Sequence, residues 1–446
     1  MPKKLTFKGG VHPGHNKSQT EQLRTECFDA PSKVVIPLSQ HIGAQAKALV
    51  KQGERVLLGQ TIGEAAGVVS AAIHSSVAGT VTAVKALPHP SGRDVMAVEI
   101  ENDGSDEAAV FEPFGRSWRD AAPGELIQKI AQCGIAGMGG ASFPTHVKLS
   151  PPTSKPIDTL IINGSECEPY LTADHRLMLE RGKDILVGTI ILKKILNAKN
   201  SYIGIEDNKP DAIAEIARLI SSDQRFTDIA LAVLKSKYPQ GGEKQLITAI
   251  TGRKVPSGGL PMDIGCDVQN TGTAAAIYDA ITKGLPLYER IVTVTGPAVK
   301  SPKNLLVRIG TPVKAVLEAC DTDFSLVKKV IMGGPMMGFT LSDLDVPIVK
   351  STSGILVYDK TVPAVKSYPC INCGFCVSAC PAKLVPSRFA KFVVKNLIDD
   401  AVKWNIMDCM ECGSCSYNCP AKINLVHYIK LGKYTAQAKK RAAQSA

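Results

Sequence analysis

Cys370-Ile371-Asn372-Cys373-Gly374-Phe375-Cys376-Val377-Ser378-Ala379-Cys380-Pro381 reads C-x2-C-x2-C-x3-C-P, and Cys409, Cys412, Cys415 and Cys419-Pro420 repeat that spacing 39 residues later. Three thiolates at i, i+3 and i+6 wrap one iron–sulfur cluster, while the fourth, on the proline-bounded turn, reaches the neighbouring cluster in two-cluster ferredoxins. The repeat predicts a ferredoxin-like domain over 360–425. One [4Fe-4S] cluster falls to Cys370, Cys373, Cys376 and Cys419, the other to Cys409, Cys412, Cys415 and Cys380. Tetrahedral zinc sites favour two separated CxxC pairs, a different pattern. Gly374 and Gly413, each following the second cysteine of its triplet, offer room for backbone amides to approach cluster sulfurs.

Outward from this module, the remaining five of the 13 cysteines (Cys27, Cys133, Cys167, Cys266 and Cys320) are scattered. They read as small buried apolar residues, and the cysteine usage suits cluster ligation in a long cytosolic chain better than disulfides. A length of 446 residues calls for several domains, and 44% hydrophobic with 21% charged residues is ordinary for a globular protein. The charge of +11 is not gathered on a motif with interleaved aromatics, which argues against nucleic acid as a partner. No apolar run is long enough for a membrane helix, and the N-terminus lacks the apolar core of a secretory signal, so a cytoplasmic location is expected. After Pro420 the chain carries Lys422, Lys430, Lys433, Lys439, Lys440 and Arg441 and no acid. This is a solvated helix, or a surface for acidic partners or anionic headgroups.

Upstream, residues 120–288 alternate between helical and extended patterns. Helices are expected over 125–132, 174–196, 211–220 and 245–250, and strands over 159–162, 202–205 and 229–234. This predicts a doubly wound α/β domain. Residues 31–115 hold short Val/Ile/Leu runs punctuated by glycines, as in a small barrel. Residues 289–350 return to short β segments with a helix over 312–319, a β-grasp-like module. A 1–30 extension and a 426–446 basic tail flank these parts. The fold class is multidomain, α/β and α+β.

Three glycine-bearing loops punctuate the α/β region. Gly137-Met138-Gly139-Gly140-Ala141-Ser142-Phe143-Pro144-Thr145 follows a helix, not a strand, so it is no Rossmann fingerprint; it is a loop open to a phosphate or flat ring, with Lys148 as counter-charge. Asn163-Gly164-Ser165-Glu166-Cys167-Glu168-Pro169 places acids at the carboxyl edge of a strand. Tyr238-Pro239-Gln240-Gly241-Gly242-Glu243-Lys244 opens a helix whose amides can hold a phosphate.

In this order, GMGGASFPTHVKL, NGSECEP and YPQGGEKQL resemble the flavin- and NADH-binding motifs of complex I's NADH-oxidising flavoprotein subunit, over roughly residues 125–345. Residues 50–81 resemble the barrel-sandwich hybrid domains related to lipoyl and biotinyl carriers, but Ala65-Ala66-Gly67-Val68 stands where the modified lysine belongs, so no covalent arm is expected and His74 reads as a packed residue. With Gly9-Gly10-Val11-His12-Pro13 and the cysteine repeat, the whole chain resembles the RnfC family, peripheral subunits of Rnf ferredoxin:NAD oxidoreductase complexes, in which 289–350 is an SLBB module. The resemblance implies FMN on Gly137, Gly139, Lys148, Asn163, Glu166, Gly241, Gly242, Asn270 and Thr273. It implies NADH against Gly140, Phe143, Glu168, Tyr238 and Glu243. Phe143 offers a face for adenine and Glu168 acceptors for ribose hydroxyls. Hydride transfer is the flavin's, and no side chain is assigned as a catalyst. Departures from the complex I pattern are Ser142 for Gly, Ser165 for Asp, Gly242 for Glu and Thr271-Gly272 for Val-Glu.

The implied function is electron transfer between NAD(H), FMN and two [4Fe-4S] clusters, coupling ferredoxin oxidation to NAD reduction, with Na+ or H+ translocation in partner subunits. The expected partners are ferredoxin and the other Rnf subunits, membrane-integral and ferredoxin-like, at the cytoplasmic face of the membrane. Two alternatives stay open: a cobalamin reductase-like flavin/iron–sulfur enzyme, in which the barrel tends to follow the flavin region, and a non-catalytic iron–sulfur relay.

Overall fold

The structure, a computed structural model, describes residues 5–114, 118–361 and 365–445; residues 1–4, 115–117, 362–364 and 446 lie outside the described residues, and with them the basic start of the chain and the lead-in at Pro363.

The apolar runs of the α/β region form a four-stranded, all-parallel sheet in the order Ile229–Leu234, Asn200–Glu206, Thr159–Gly164, Cys266–Asn270. Side chains alternate along Thr159–Gly164. Leu160 and Ile162 enter a core with helices Pro123–Gln132, Gly182–Leu196 and Thr271–Thr282, while Ile161 enters a second core with Leu246, Ile247 and Val268. Both faces are therefore covered, as a parallel sheet requires. The first three strands add in one direction and the fourth returns to the other side of Thr159–Gly164. This makes a topological switch point, where ligands bind beyond the strand ends. At that point Asn163 and Asn270 are register partners.

The single helix expected over 174–196 is two, Ala173–Glu180 and Gly182–Leu196, broken at Arg181 (φ −131, ψ 29). Arg181 pairs with Asp184 and Asp279 at the break. Gly188 lets helices Gly182–Leu196 and Thr271–Thr282 touch: a Cβ there would fall 2.0 Å from the Ala274 carbonyl.

Residues 33–102 form two antiparallel sheets. One is ordered Lys33–Pro37, Asp94–Asn102, Gly79–Pro88, Arg55–Val56, and the other Lys47–Ala48, Thr61–Glu64, Ile73–His74. They close on Val34, Ile36, Ile62, Ile73, Val98 and Ile100, the barrel-sandwich hybrid. His74 is packed, and burial lowers it to about 3.

The β-grasp-like sheet is larger than residues 289–350. To Glu289–Thr295, Lys303–Arg308, Val327–Met332 and Phe339–Thr340 it adds Gly354–Asp359 beside Glu289–Thr295, and at its edge Thr25–Cys27 from the N-terminal segment. Apolar residues drive the first addition, since Ile355 and Val357 enter the core that Val292, Val294 and helix Val313–Glu318 build, whereas Thr25–Cys27 is held by main-chain pairing with Lys303–Arg308. The start of the expected tail is likewise integrated. Helix Leu425–Ser445 buries Leu425 and Ile429 with Phe389, Val393 and Ile406 in the core of the cysteine module.

Candidate redox sites

The glycine-rich loop closes on itself through Gly137 N donating to the Phe143 carbonyl at 2.9 Å. It meets the switch point twice: Met138 N donates to Thr273 Oγ1 at 3.0 Å, and Gly139 lies so near Asn270 that a Cβ would sit 3.2 Å from its Cβ. Asn270 caps helix Thr271–Thr282, accepting from Gly272 N at 2.8 Å, and donates to Asp174 at 2.7 Å. Burial, with Glu166 beside it, raises Asp174 to about 6. Asn163 donates to the Gly241 carbonyl at 2.9 Å, joining the third loop. Gly137, Gly139, Asn163, Gly241, Asn270 and Thr273 are thus brought together. Gly140 (φ +118) is exposed with free space where a side chain would stand, and Phe143 is half-buried beside it. Ser142, at φ +49, keeps its hydroxyl for the barrel and donates to the Gln40 carbonyl at 2.9 Å.

Four expected contacts are turned elsewhere. Lys148 is no free counter-charge. It pairs with Glu243 at 2.7 Å and Asp267 at 3.7 Å, and although burial opposes its charge these two carboxylates hold it above its ordinary value. Glu166 caps helix Ala173–Glu180, accepting from Asp174 N at 2.7 Å and His175 N at 3.2 Å. Glu168 accepts from Met336 N at 3.0 Å, Met337 N at 2.9 Å and Tyr238 Oη at 3.3 Å, and burial raises its carboxyl. Tyr238 is buried rather than open to a nucleotide.

Two lysines that sequence reasoning missed lie behind the second loop. Lys17 donates to the carbonyls of Glu166 (2.9 Å), Glu168 (3.0 Å) and Leu171, and Lys209 donates to that of Ser165 (2.6 Å). Nothing in their local sequence marks them, because each reaches the loop only through the tertiary fold. Against these filled sites, both amide atoms of the buried Gln240 and the hydroxyl of Ser165 have no partner. A buried polar group without a partner is costly. The three loops therefore offer a close backbone cradle and unmet hydrogen-bonding capacity, which fits a polar, phosphate-bearing ligand such as FMN.

The cysteine repeat is structural as well as sequential. Left-handed residues recur 39 positions apart at Asn372 and Glu411, Gly374 and Gly413, and Lys383 and Lys422. Free space surrounds Gly374, so its glycine serves the φ of +78. Gly413 also needs room, since a Cβ would meet the Met336 carbonyl at 2.9 Å. The turns aim amides at sulfur, with Asn372 N to Cys370 Sγ and Glu411 N to Cys409 Sγ both at 3.4 Å. Cys370, Cys373, Cys376 and Cys419 line one cavity of about 200 Å³. Cys380, Cys409, Cys412 and Cys415 line a tighter one of about 20 Å³. Among the described residues no three His, Cys, Asp or Glu side chains converge on a point for a single ion. Burial raises Cys409 to about 11 and Cys415 to about 12. Four thiols ringing each apolar cavity fit a polynuclear cluster. Of the five other cysteines, Cys133, Cys266 and Cys320 are buried as expected, Cys167 is half-buried, and Cys27 is exposed, because it lies on the edge strand of its sheet.

The two thiol groups face different surroundings. Tyr238, Cys412, Ala379 and Val11 form one buried apolar cluster, with Cys167, Met336 and Met410 packed on it. Gly242, where the complex I pattern has Glu, abuts Met410: a Cβ there would be 2.6 Å from its Cε. Around the first group, Cys373 is exposed and Tyr368, Ile371 and Phe375 form an apolar rim.

This arrangement defines a multidomain electron-transfer protein in which a flavin-type α/β domain is packed against a two-cluster module. Family models match the Nuo51 FMN-binding domain over residues 130–279, the RnfC barrel-sandwich hybrid domain over 5–105, the SLBB domain over 291–340 and the 4Fe-4S dicluster domain over 369–423. The chain is 47% identical to the C subunit of the proton-translocating ferredoxin:NAD(+) oxidoreductase complex of Clostridium ljungdahlii, covering 95% of this chain and 93% of that one. It is 45% identical to the Na(+)-translocating counterpart of Acetobacterium woodii, covering 98% of each. The C subunit of the ion-translocating oxidoreductase complex of Pseudomonas aeruginosa is 42% identical over 96% of this chain but only 55% of its own length. The chain belongs to the RnfC family, and it carries that family's FMN-binding and 4Fe-4S dicluster domains. The crystal structure of an NAD+-reducing [NiFe]-hydrogenase in the H2-reduced state matches the fold at a TM-score of 0.50 and 17% identity, covering 72% of this chain and 62% of that one. Among the described residues no helix is long and apolar enough to cross a membrane.

Proposed function

We propose that this chain is the peripheral NAD(H)-oxidoreductase arm of an ion-translocating ferredoxin:NAD oxidoreductase complex, working with ferredoxin and with membrane-integral and ferredoxin-like subunits at the cytoplasmic face. The observation that carries the reading is the junction at Tyr238, where a flavin-type loop and the Cys380/Cys409/Cys412/Cys415 group share one buried contact. FMN, when bound, supplies the change from two-electron hydride chemistry to one-electron transfer, and the clusters supply the one-electron path.

In this reading Gly137, Gly139, Asn163, Gly241, Asn270 and Thr273 hold FMN with backbone and amide groups, and Gln240 and Ser165 gain partners from it. Gly140, Phe143 and Glu243 border the nucleotide side, where Gly140 and Phe143 are partly open. Lys148 and Glu166 act behind the ligand, steadying the loops through Glu243 and helix Ala173–Glu180. Tyr238 and Glu168 serve the junction and exclude water from it. Cys409, Cys412, Cys415 and Cys380 hold the inner cluster. Cys370, Cys373, Cys376 and Cys419 hold the outer one, whose exposed apolar rim suits exchange with a protein partner.

The test is anaerobic reconstitution with iron, sulfide and FMN, followed by NADH, with the flavin and cluster absorption bands monitored. Bleaching of both is the expected result. Clusters that stay oxidised beside an inert or absent flavin would overturn the reading in favour of an iron–sulfur relay.

A further inference from the structure

The Gly9-Gly10-Val11 stretch is the part of the sequence that no cofactor role absorbs, and it lies where two redox sites meet. Leu5 pairs with the edge of the parallel sheet, its carbonyl accepting from Lys235 N at 2.9 Å. Lys237 Nζ donates to the Phe7 carbonyl at 2.9 Å. The chain then crosses to the cysteine module: Gly10 N donates to the Ala379 carbonyl at 2.8 Å. Gly9 runs so close beneath Cys380 that a Cβ would stand 2.9 Å from its carbonyl oxygen. One residue on, Val11 and Tyr238 exchange both main-chain hydrogen bonds, at 2.8 and 2.9 Å. Three consecutive residues thus bind the residue before Cys380, the Cys380 peptide and the Tyr238 loop. The need for glycine is geometric. Gly9 and Gly10 have φ of +87 and +81, and a Cβ on Gly10 would lie 2.5 Å from the Tyr238 carbonyl.

We propose that Gly9-Gly10-Val11 is a positioning strap that fixes the Cys380 ligand turn against the Tyr238 loop and so sets the placement of the inner cluster relative to the flavin site. The inference rests on the reading of Cys380 as a cluster ligand and of the three loops as the flavin site. A metal's outer partners orient its ligands, and their loss typically costs about 10- to 100-fold in affinity or activity. Here the partner is the main chain, so the sequence shows only its glycines.

The experiment uses the full chain, reconstituted with clusters and FMN, as wild type, Gly10→Ala and the control Gly14→Ala, where only the Asn16 side chain is near. In dithionite-reduced samples the electron paramagnetic resonance signal and reduction potential of each cluster are recorded. Gly10→Ala is expected to shift the inner-cluster signal and potential, leaving the outer cluster unchanged and slowing NADH-driven cluster reduction about tenfold. Gly14→Ala is expected to behave as wild type. A Gly10→Ala protein with wild-type spectra and transfer rate, or one in which both clusters shift alike, overturns the proposal. Should Gly10→Ala not fold, amide exchange in the wild type decides: Gly10 and Val11 are expected to be as protected as Thr159–Gly164, and exchange at the rate of open chain overturns it. If NADH leaves the wild-type clusters oxidised, the proposed function fails, while the dithionite spectra and amide exchange still test the strap.

Discussion

Replacing Lys17 with methionine removes one ammonium from beneath the second flavin loop while keeping most of the side chain's bulk. Lys17 is 4% exposed and supplies the carbonyls of Glu166, Glu168 and Leu171 with a charged donor, with the Glu166 carboxylate 3.9 Å away. Burial lowers Lys17 below its ordinary value, and Glu166 works in the opposite direction. A hydrogen bond to a charged group contributes roughly 1.5–3 kcal/mol, and removing one partner of a buried pair costs about 3–5 kcal/mol. The contributions overlap, because discharging the site also removes the desolvation cost of the ammonium, so the net loss is about 3–5 kcal/mol rather than their sum. At about 1.4 kcal/mol per factor of ten, opening of the 165–171 loop becomes more than about 100-fold more frequent. The assay is amide exchange across 165–171 in the intact chain, paired with FMN titration. Faster exchange and weaker FMN binding are expected. Lys17→Met with unchanged exchange would refute the claim that Lys17 holds the loop.

Three further outcomes follow from the geometry. Cys380→Ser disturbs the cluster of Cys409, Cys412 and Cys415 more than that of its own triplet; cluster spectra showing loss of the Cys370, Cys373 and Cys376 cluster alone would contradict the crossed pairing. Ser142→Ala loses a buried hydrogen bond to Gln40 yet keeps a strained φ of +49, and so costs about 1 kcal/mol. Ser142→Gly relieves the strain and costs less, and urea denaturation of both variants tests the order. Lys350 is buried with no carboxylate paired to it among the described residues, donating to Ala72 and Gly134 carbonyls at 3.0 and 2.7 Å, and burial lowers it from 10.5 to about 7. Its folded form binds fewer protons than the unfolded chain between those values, so stability rises as pH increases from about 7 toward 10.5. Denaturation midpoints at pH 7 and pH 9 should show a rise in the wild type that Lys350→Met lacks.

The local sequence carried most of the fold. Alternation at Leu160, Ile161 and Ile162 specifies a strand buried on both faces, and the cysteine spacing specifies the module because three ligands of each set recur at i, i+3 and i+6 and the C-P turn of the other set supplies the fourth. It also marked the glycine loops at Gly137, Gly139 and Gly241 and the strand-end Asn163, whereas Asn270 entered only through the family resemblance. The break at Arg181 was not legible, because it follows from the pairing of Arg181 with Asp279, 98 residues away. Glu166, Glu168, Lys148 and Tyr238 kept their positions but not their expected contacts, since a side chain's partner depends on what packs over it.

What the sequence determined by itself, then, is chemistry held in short spacing: two sets of thiols, three glycine-bearing loops and the periodicity of the parallel sheet and its helices. Only the tertiary structure decided which thiols face the flavin loops, that residues 5–27 bind three domains together, and that Met410 fills the space beside Gly242. The physical reason is range. Spacing along the chain fixes geometry over a few residues, whereas burial, ion pairing and backbone approach between distant segments arise only when the domains pack against one another.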